Sequence, residues 1–250
     1  TEVPDQFGAR LRTSYGSFQS GQLHALLGDS KKHFGYSVEY LNYNSNGFKN
    51  LDGGGDTGFD KNDLVAKFQV RINPEARLQQ RLEFKFQYSD EVSDETYLGL
   101  TDRDFERDAN RRYGMSDIDQ MDNDRDAVSL RHTLVFDEST QLNSVVYRNE
   151  FNRNWYKLAS IGGQGIGGFV ADANANGGVK QAQLRGADAD DLVFKNNNLE
   201  YVSEGVQTEL NHRFQTGSVD NDLIVGARYH QDEVDRYQPT DTFDQTNGSL

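Results

Sequence analysis

The sequence predicts an all-β fold, a transmembrane antiparallel β-barrel, and three observations carry that prediction. Residues 77–88 alternate almost perfectly between polar and apolar side chains. The stretch is long enough to cross a bilayer. The connections between such stretches alternate between tight turns and long polar loops. In residues 77–88, Arg77, Gln79, Arg81, Glu83, Lys85 and Gln87 occupy one face and Leu78, Leu82, Phe84, Phe86 and Tyr88 the other, with Gln80 the one exception. Successive strand side chains point to opposite faces, so one face of this strand suits oil and the other water. Twelve residues extend roughly 40 Å, which at a tilt near 45° rises about 28 Å, close to the hydrocarbon thickness. A strand of a soluble sandwich is typically about half as long.

The same period recurs along the chain. Leu64, Ala66, Phe68, Val70 and Ile72 oppose Lys67, Gln69 and Arg71; Phe7, Ala9, Leu11 and Tyr15 oppose Arg10 and Arg12. Phe34, Tyr36, Val38 and Tyr40 alternate with Ser37 and Glu39, and Val128, Leu130, Leu134 and Phe136 with Ser129, Arg131 and Thr133. Val206, Thr208, Leu210 and Phe214 alternate with Gln207, Glu209 and Arg213, and Leu223, Val225, Ala227 and Tyr229 surround Arg228. Weaker patterns near 20–29 and 141–154 bring the expectation to about nine strands. Tight links at 29–32, 73–76, 137–140 and 216–219 alternate with long polar stretches at 45–62, 90–124 and 155–198. That places all short turns at one end of the sheet and all long loops at the other, the habit of outer-membrane barrels. Pro74 after Asn73 suits a type I turn. Phe34, Phe136 and Phe214 beside the turns, and Tyr88, Phe151, Trp155 and Tyr156 toward the loops, have the arrangement of two aromatic girdles.

Composition is consistent with this. The chain has 250 residues, 24 Gly, 3 Pro and no Cys. A mean hydropathy of -0.82 is no objection, because a barrel keeps its apolar residues on one face only. No run of about 18 apolar residues exists for a transmembrane helix. Without Cys there is neither a disulfide framework nor a thiolate metal site. A net charge of -14 argues against nucleic acid. The ends lack a signal peptide and stop in a polar run, so the chain reads as a piece of a longer protein.

Motif matches are weak. Gly163-Gln164-Gly165-Ile166-Gly167-Gly168 fits a dinucleotide fingerprint only in letters, and reads as a flexible loop without helical period. Asp122, Asp124 and Asp126 have the alternate spacing of calcium-loop ligands, but Ala127 and Thr133 stand where that loop needs glycine and glutamate. They read as a solvated acidic loop. The His residues lack ligand spacing and there is no nucleophile elbow, so neither an enzyme nor a cofactor is expected.

The segment 90–124 stands apart. It is acidic, yet with the residue that follows it holds Arg103, Arg107, Arg111, Arg112 and Arg125, with Tyr97, Phe105 and Tyr113 among them. Guanidinium groups grip carboxylates bidentately and keep their charge. Arg103, Arg107, Arg111, Arg112 and Tyr113 are therefore a candidate substrate-binding set for a carboxylate-rich anion; pairing with neighbouring Asp and Glu is the open alternative.

Tyr97-Leu98-Gly99-Leu100-Thr101-Asp102-Arg103-Asp104-Phe105, then Arg111-Arg112-Tyr113, then Phe151-Asn152-Arg153-Asn154-Trp155-Tyr156-Lys157-Leu158, resemble TonB-dependent outer-membrane receptors, in particular the iron(III) dicitrate branch. The resemblance implies that residues 1–250 form the first nine or so strands of a 22-stranded barrel, with the plug domain, its TonB box and the C-terminal strands outside this chain. It implies import of a ferric chelate, ferric citrate or another siderophore, in the outer membrane of a Gram-negative bacterium. The implied partners are the chelate, TonB acting through the plug, the plug itself and outer-membrane lipid. Arg10, Arg12, Lys67, Arg71, Arg77, Arg81 and Lys85 are expected to line the lumen and meet the plug. Other cargo, such as an oligosaccharide or cobalamin, and a passive porin or surface-binding barrel without energy coupling are the alternatives.

Overall fold

In the computed structural model, which describes residues 2–250, nine long strands follow one another around a single antiparallel sheet. They are β1 (Gly8–Tyr15), β2 (Gly21–Ser30), β3 (Phe34–Ser45), β4 (Phe59–Ile72) and β5 (Gln79–Ser93). The series continues with β6 (Gln120–Val135), β7 (Thr140–Ile161), β8 (Ala189–Thr216) and β9 (Val219–Tyr237). Each pairs only with its sequence neighbours in this series, and β1 and β9 form the edges. A short β10 (Thr240–Gln245) returns to the first residues of β8.

Register fixes the two faces. Phe84 stands opposite Phe68 and Leu130, while Lys85 stands opposite Lys67 and Ser129. Val70 faces Phe34 and Leu82, and Arg71 faces Arg81. The apolar row continues through Val146, Val206 and Tyr229. Phe68, Val70, Phe84 and Leu130 are all more than 40% exposed, a waste of apolar surface in water but the requirement of a lipid-facing wall. The other face is polar, and the N-terminal segment crosses it. A Cβ at Gly28 would lie 2.7 Å from Pro4, and one at Gly35 would lie 2.9 Å from Val3. Only glycine allows that close approach.

The links have the expected asymmetry. At one end Lys31 N–H donates to Phe34 O, Ala76 N–H donates to Asn73 O, Ser139 N–H donates to Asp137, and Gly217 adopts a φ of 65°. At the other end lie the long connections 46–58, 94–119 and 162–188.

Three sequence expectations need correction. Asp122, Asp124 and Asp126 are not in a loop; they lie in β6 opposite Asn154, Asn152 and Glu150, on the face shared with Phe86 and Tyr88. Residues 163–178 are not a flexible loop, since α2 (Ile166–Asn176) and α3 (Gly178–Leu184) occupy the connection. Ile166, Phe169 and Ala173 recur at helical spacing and are buried, which the surrounding glycines and polar residues masked. The fingerprint does follow a strand and open a helix, but β7 and β8 are antiparallel, so no βαβ unit exists. Finally, Phe151 and Trp155 do not join the upper girdle. By register they share the polar face with Lys85, while Tyr88 beside Leu64 stays on the apolar one.

The hydrophobic core lies beyond the apolar band. Leu98, Tyr113, Met115, Leu158, Ile161, Ile166, Phe169, Leu184, Leu192 and Phe194 form one buried cluster among the long connections and the ends of β7 and β8. Those strands run 22 and 28 residues, against the 9–11 or so that cross a bilayer. The surplus builds a folded cap.

Charge on the apolar wall at mid-height costs roughly 2–4 kcal/mol, and much less on a wet lumenal wall. In the full-length protein Phe84→Arg is expected to impair assembly while Lys85→Leu is tolerated, as followed by heat-modifiable electrophoretic mobility. Equal defects would contradict the assignment of faces.

Candidate functional site

The cap is sewn together around one carboxylate. Thr101 caps α1 (Asp102–Arg107), accepting from Asp104 N–H, and this turn carries the Asp104 side chain into the interior. Asp104 is 1% exposed. It accepts two 3.0 Å hydrogen bonds from Arg185 Nε, and one of 2.7 Å from the Tyr113 hydroxyl; Arg111 Nη1 lies 3.3 Å away. Arg111 also grips Asp52, with Nε at 2.9 Å and Nη2 at 2.7 Å. Asp52 belongs to connection 46–58, Asp104 and Arg111 to 94–119, and Arg185 to 162–188. One hub therefore joins all three. A two-residue parallel pairing of Asn50–Leu51 with Arg111–Arg112, and Asp102 N–H donating to Asn174, reinforce it. Burial opposes ionisation of Asp104, but the hydrogen bonds from Arg185 and Tyr113 and the charges of Arg185 and Arg111 outweigh it. They hold the carboxyl at about 2.

The sequence-derived candidates are thus divided. Arg112 is 1% exposed and donates to the carbonyls of Asp94, Ser116 and Asp119. Tyr113 is equally buried, with the Arg111 guanidinium 5.1 Å from its ring centre. Arg111, Arg112 and Tyr113 pair inside the cap. Arg103 and Arg107 are exposed on α1 and take no part in the hub.

A second arrangement escaped the sequence reading. On the polar face of β7, above the level of the apolar band, stand Arg153, Trp155 and Lys157, and Lys195 of β8 lies directly opposite Lys157. The Lys157 ammonium sits 3.7 Å from the ring centres of both Tyr97 and Trp155, which meet edge to face at 5.5 Å. Among the described residues none of the three cations is ion-paired. Arg153 Nε and Trp155 Nε1 are buried donors without a hydrogen-bond partner there. Unpaired buried donors are rare and costly. Two buried donors beside unpaired cations and exposed aromatic surface make a wall suited to an anion with planar or ring groups. The signal was present as Arg-x-Trp-x-Lys at strand spacing, but face assignment depends on a register no local pattern supplies. Among the described residues no group of His, Cys, Asp or Glu is arranged to hold a metal ion.

No protein-family model matches the sequence, and no curated protein matches it. Solved structures do. The ferric-catecholate import receptor Fiu from E. coli K12 superposes over 100% of this chain and 39% of its own, with TM-score 0.71 and 10% identity. The fold is that of the barrel portion of TonB-dependent receptors. The unliganded ferric citrate transporter FecA matches 100% of the chain and 33% of its own, at TM-score 0.68 and 14% identity. BauA, the ferric preacinetobactin receptor of Acinetobacter baumannii, matches 99% and 34%, at 0.61 and 11%. The chain thus spans between a third and two fifths of these receptor structures, and at such identities the shared property is the fold. In this sheet the apolar wall and the wall bearing Arg153, Trp155 and Lys157 are opposite faces.

The hub has a direct consequence. Asp104→Asn is expected to speed amide hydrogen exchange in 94–119 and 162–188 together, leaving β4 and β5 unchanged. Because the folded carboxyl titrates below its ordinary value of 3.8, its stabilisation is present above about pH 4 and lost as pH falls toward 2. Hydrogen exchange in one loop alone would show that the cap does not act as a unit.

Proposed function

We propose that this chain is part of an outer-membrane receptor that imports a negatively charged ferric chelate, with energy delivered by TonB through a plug. The observation that carries the reading is the unpaired cationic and aromatic wall of Arg153, Trp155, Lys157 and Lys195 on the interior face. The receptor fold supports it, and so do the iron chelates named for its structural neighbours. Capture needs no covalent chemistry. Arg153 and the two lysines would neutralise the chelate's charge, the indole N–H would donate to a carboxylate or catecholate oxygen, and the chelator would hold the iron. Arg103 and Arg107 face solvent and would draw the anion toward the opening, while Arg111, Arg112 and Tyr113 act by shaping the cap. The long connections are extracellular in this reading and the short turns periplasmic.

Each hydrogen bond to a charged group is worth roughly 1.5–3 kcal/mol. Arg153→Met with Lys157→Met, in the full-length receptor at matched surface level, is therefore expected to weaken ferric citrate binding at least tenfold, roughly. Arg103→Ala with Arg107→Ala should slow uptake more than it weakens equilibrium binding. Undiminished binding in the Arg153/Lys157 variant, or wild-type preference for a neutral chelate over an anionic one, would defeat the reading. For sidedness, single cysteines at Asp56, Arg107 and Ala175 should react with an impermeant reagent on intact cells, and those at Glu75 and Glu138 should not.

A further inference from the structure

The cap and the cationic wall meet at one buried carboxylate, that of Asp119, which is 0% exposed. Its Oδ1 accepts the backbone N–H of Leu158 at 2.7 Å. Its Oδ2 accepts the N–H of Tyr97 at 3.2 Å and the Thr96 hydroxyl at 3.3 Å. These partners flank the aromatic sandwich. Tyr97 supplies one ring, and Leu158 follows the Lys157 that the rings enclose. β6 begins only at Gln120, so β7 has no β6 partner beyond Tyr156 while β8 still pairs with its other edge, and Asp119 takes over the vacant edge. A side chain thus replaces a ladder hydrogen bond there and ties the cap's first residues to it. Arg112 secures the same turn from beneath by donating to Asp119 O at 3.0 Å.

We propose that Asp119 is a positioning residue for cargo: by pinning Tyr97 to the edge of β7 it closes the Tyr97–Trp155 pair around Lys157 and fixes the ammonium on the chelate-facing wall. The proposal rests on the function proposed above. It makes the binding site a joint product of barrel and cap, since neither Lys157 nor Trp155 has its second aromatic neighbour without the 94–119 connection. Burial pushes the Asp119 carboxyl up to about 6, against the opposing N–H groups of Leu158 and Tyr97 and the charge of Arg112. Arg112 faces it from its own loop and Tyr156 and Lys157 from β7, while Asp94 and Asp117 act on Arg112. With its folded value above the ordinary 3.8, its ionisation costs fold stability as pH rises through about 4–6. A titration near pH 6 is its signature.

Trp155 is the one tryptophan of this chain, so its emission reports the sandwich directly. In purified full-length receptor, the difference spectrum against Trp155→Phe isolates it. The wild type is expected to show a pH-dependent change in that emission with a midpoint near 6, and Asp119→Asn to abolish the transition. The same variant should bind ferric citrate roughly tenfold more weakly, the loss of about one charged hydrogen bond, with normal heat-modifiable mobility. If Asp119→Asn fails to assemble, Thr96→Val removes one donor and should give a smaller change of the same kind. An unchanged Trp155 titration in Asp119→Asn overturns the proposal. So does a changed emission with undiminished ferric citrate binding, provided Arg153→Met with Lys157→Met still lowers it. If that double variant also binds normally, the function proposed above has failed as well.

Discussion

Everything in this chain depends on an uninterrupted hydrogen-bond register. From β1 through β7, every strand pair runs residue against residue without a shift, and the irregularities at the start of β8 lie above the apolar band. A slip of one residue at any seam would turn an entire row from lipid to lumen. In hydrocarbon no water is available to satisfy a broken ladder, so continuity is enforced by both the backbone and the side chains. The sheet needs no hydrophobic core of its own, because lipid and the wet interior solvate its two faces. The buried cluster accordingly forms in the cap, where the strands outrun the membrane and long connections must pack in water.

The existence of the strands, and the two faces of those that alternate strongly, were legible in the sequence; the face of Phe151 and Trp155 in β7 was not. The period-two signal is local: Leu82, Phe84 and Phe86 against Arg81, Glu83 and Lys85 announce both faces without reference to any other strand. What failed was local structure decided by distant partners. Asp122, Asp124 and Asp126 look like a loop because strand propensity disfavours them, yet they ride in β6 between two long neighbours that continue the ladder. α2 looked like a glycine-rich flexible loop because its three core-facing residues, Ile166, Phe169 and Ala173, stand among glycines and polar residues. The Arg111–Asp52 and Arg185–Asp104 pairs join residues 59 and 81 positions apart, beyond anything spacing can suggest. Internal pairing of the loop arginines was foreseeable, and Arg111 does meet the neighbouring Asp104, but its bidentate partner Asp52 and the distant Arg185 were not.

Charge is unevenly divided between the two faces of the sheet, and this reduces the conflict between a net charge of -14 and the proposed capture of an anion. Asp90, Asp124, Asn152, Glu200 and Asp235 form one continuous row across five strands, on the face that bears Phe86 and Tyr88 lower down. Asp60, Asp122, Asp126 and Glu150 flank it on the same face. The opposite face carries Arg125, Arg153, Lys157, Lys195 and Arg236 at comparable height. The separation is partial, since register also puts Asp63 and Glu91 on the basic face in the rows of Arg125 and Arg153, with Glu91 paired to Lys61. The sheet itself stands between the acids of one face and the cations of the other, and salt screens exposed charges over about 8 Å at physiological strength. The acids of the apolar face therefore contribute a weakened field on the basic one, where the proposed anion would respond chiefly to the cations it touches. The cap sharpens this by consuming its own charges: Asp52, Asp104, Arg111 and Arg185 neutralise one another at the hub. Arg153, Lys157 and Lys195 on β7 and β8 stay outside that hub without ion pairs among the described residues, beside the turn where Asp119 ties the 94–119 connection to the edge of β7.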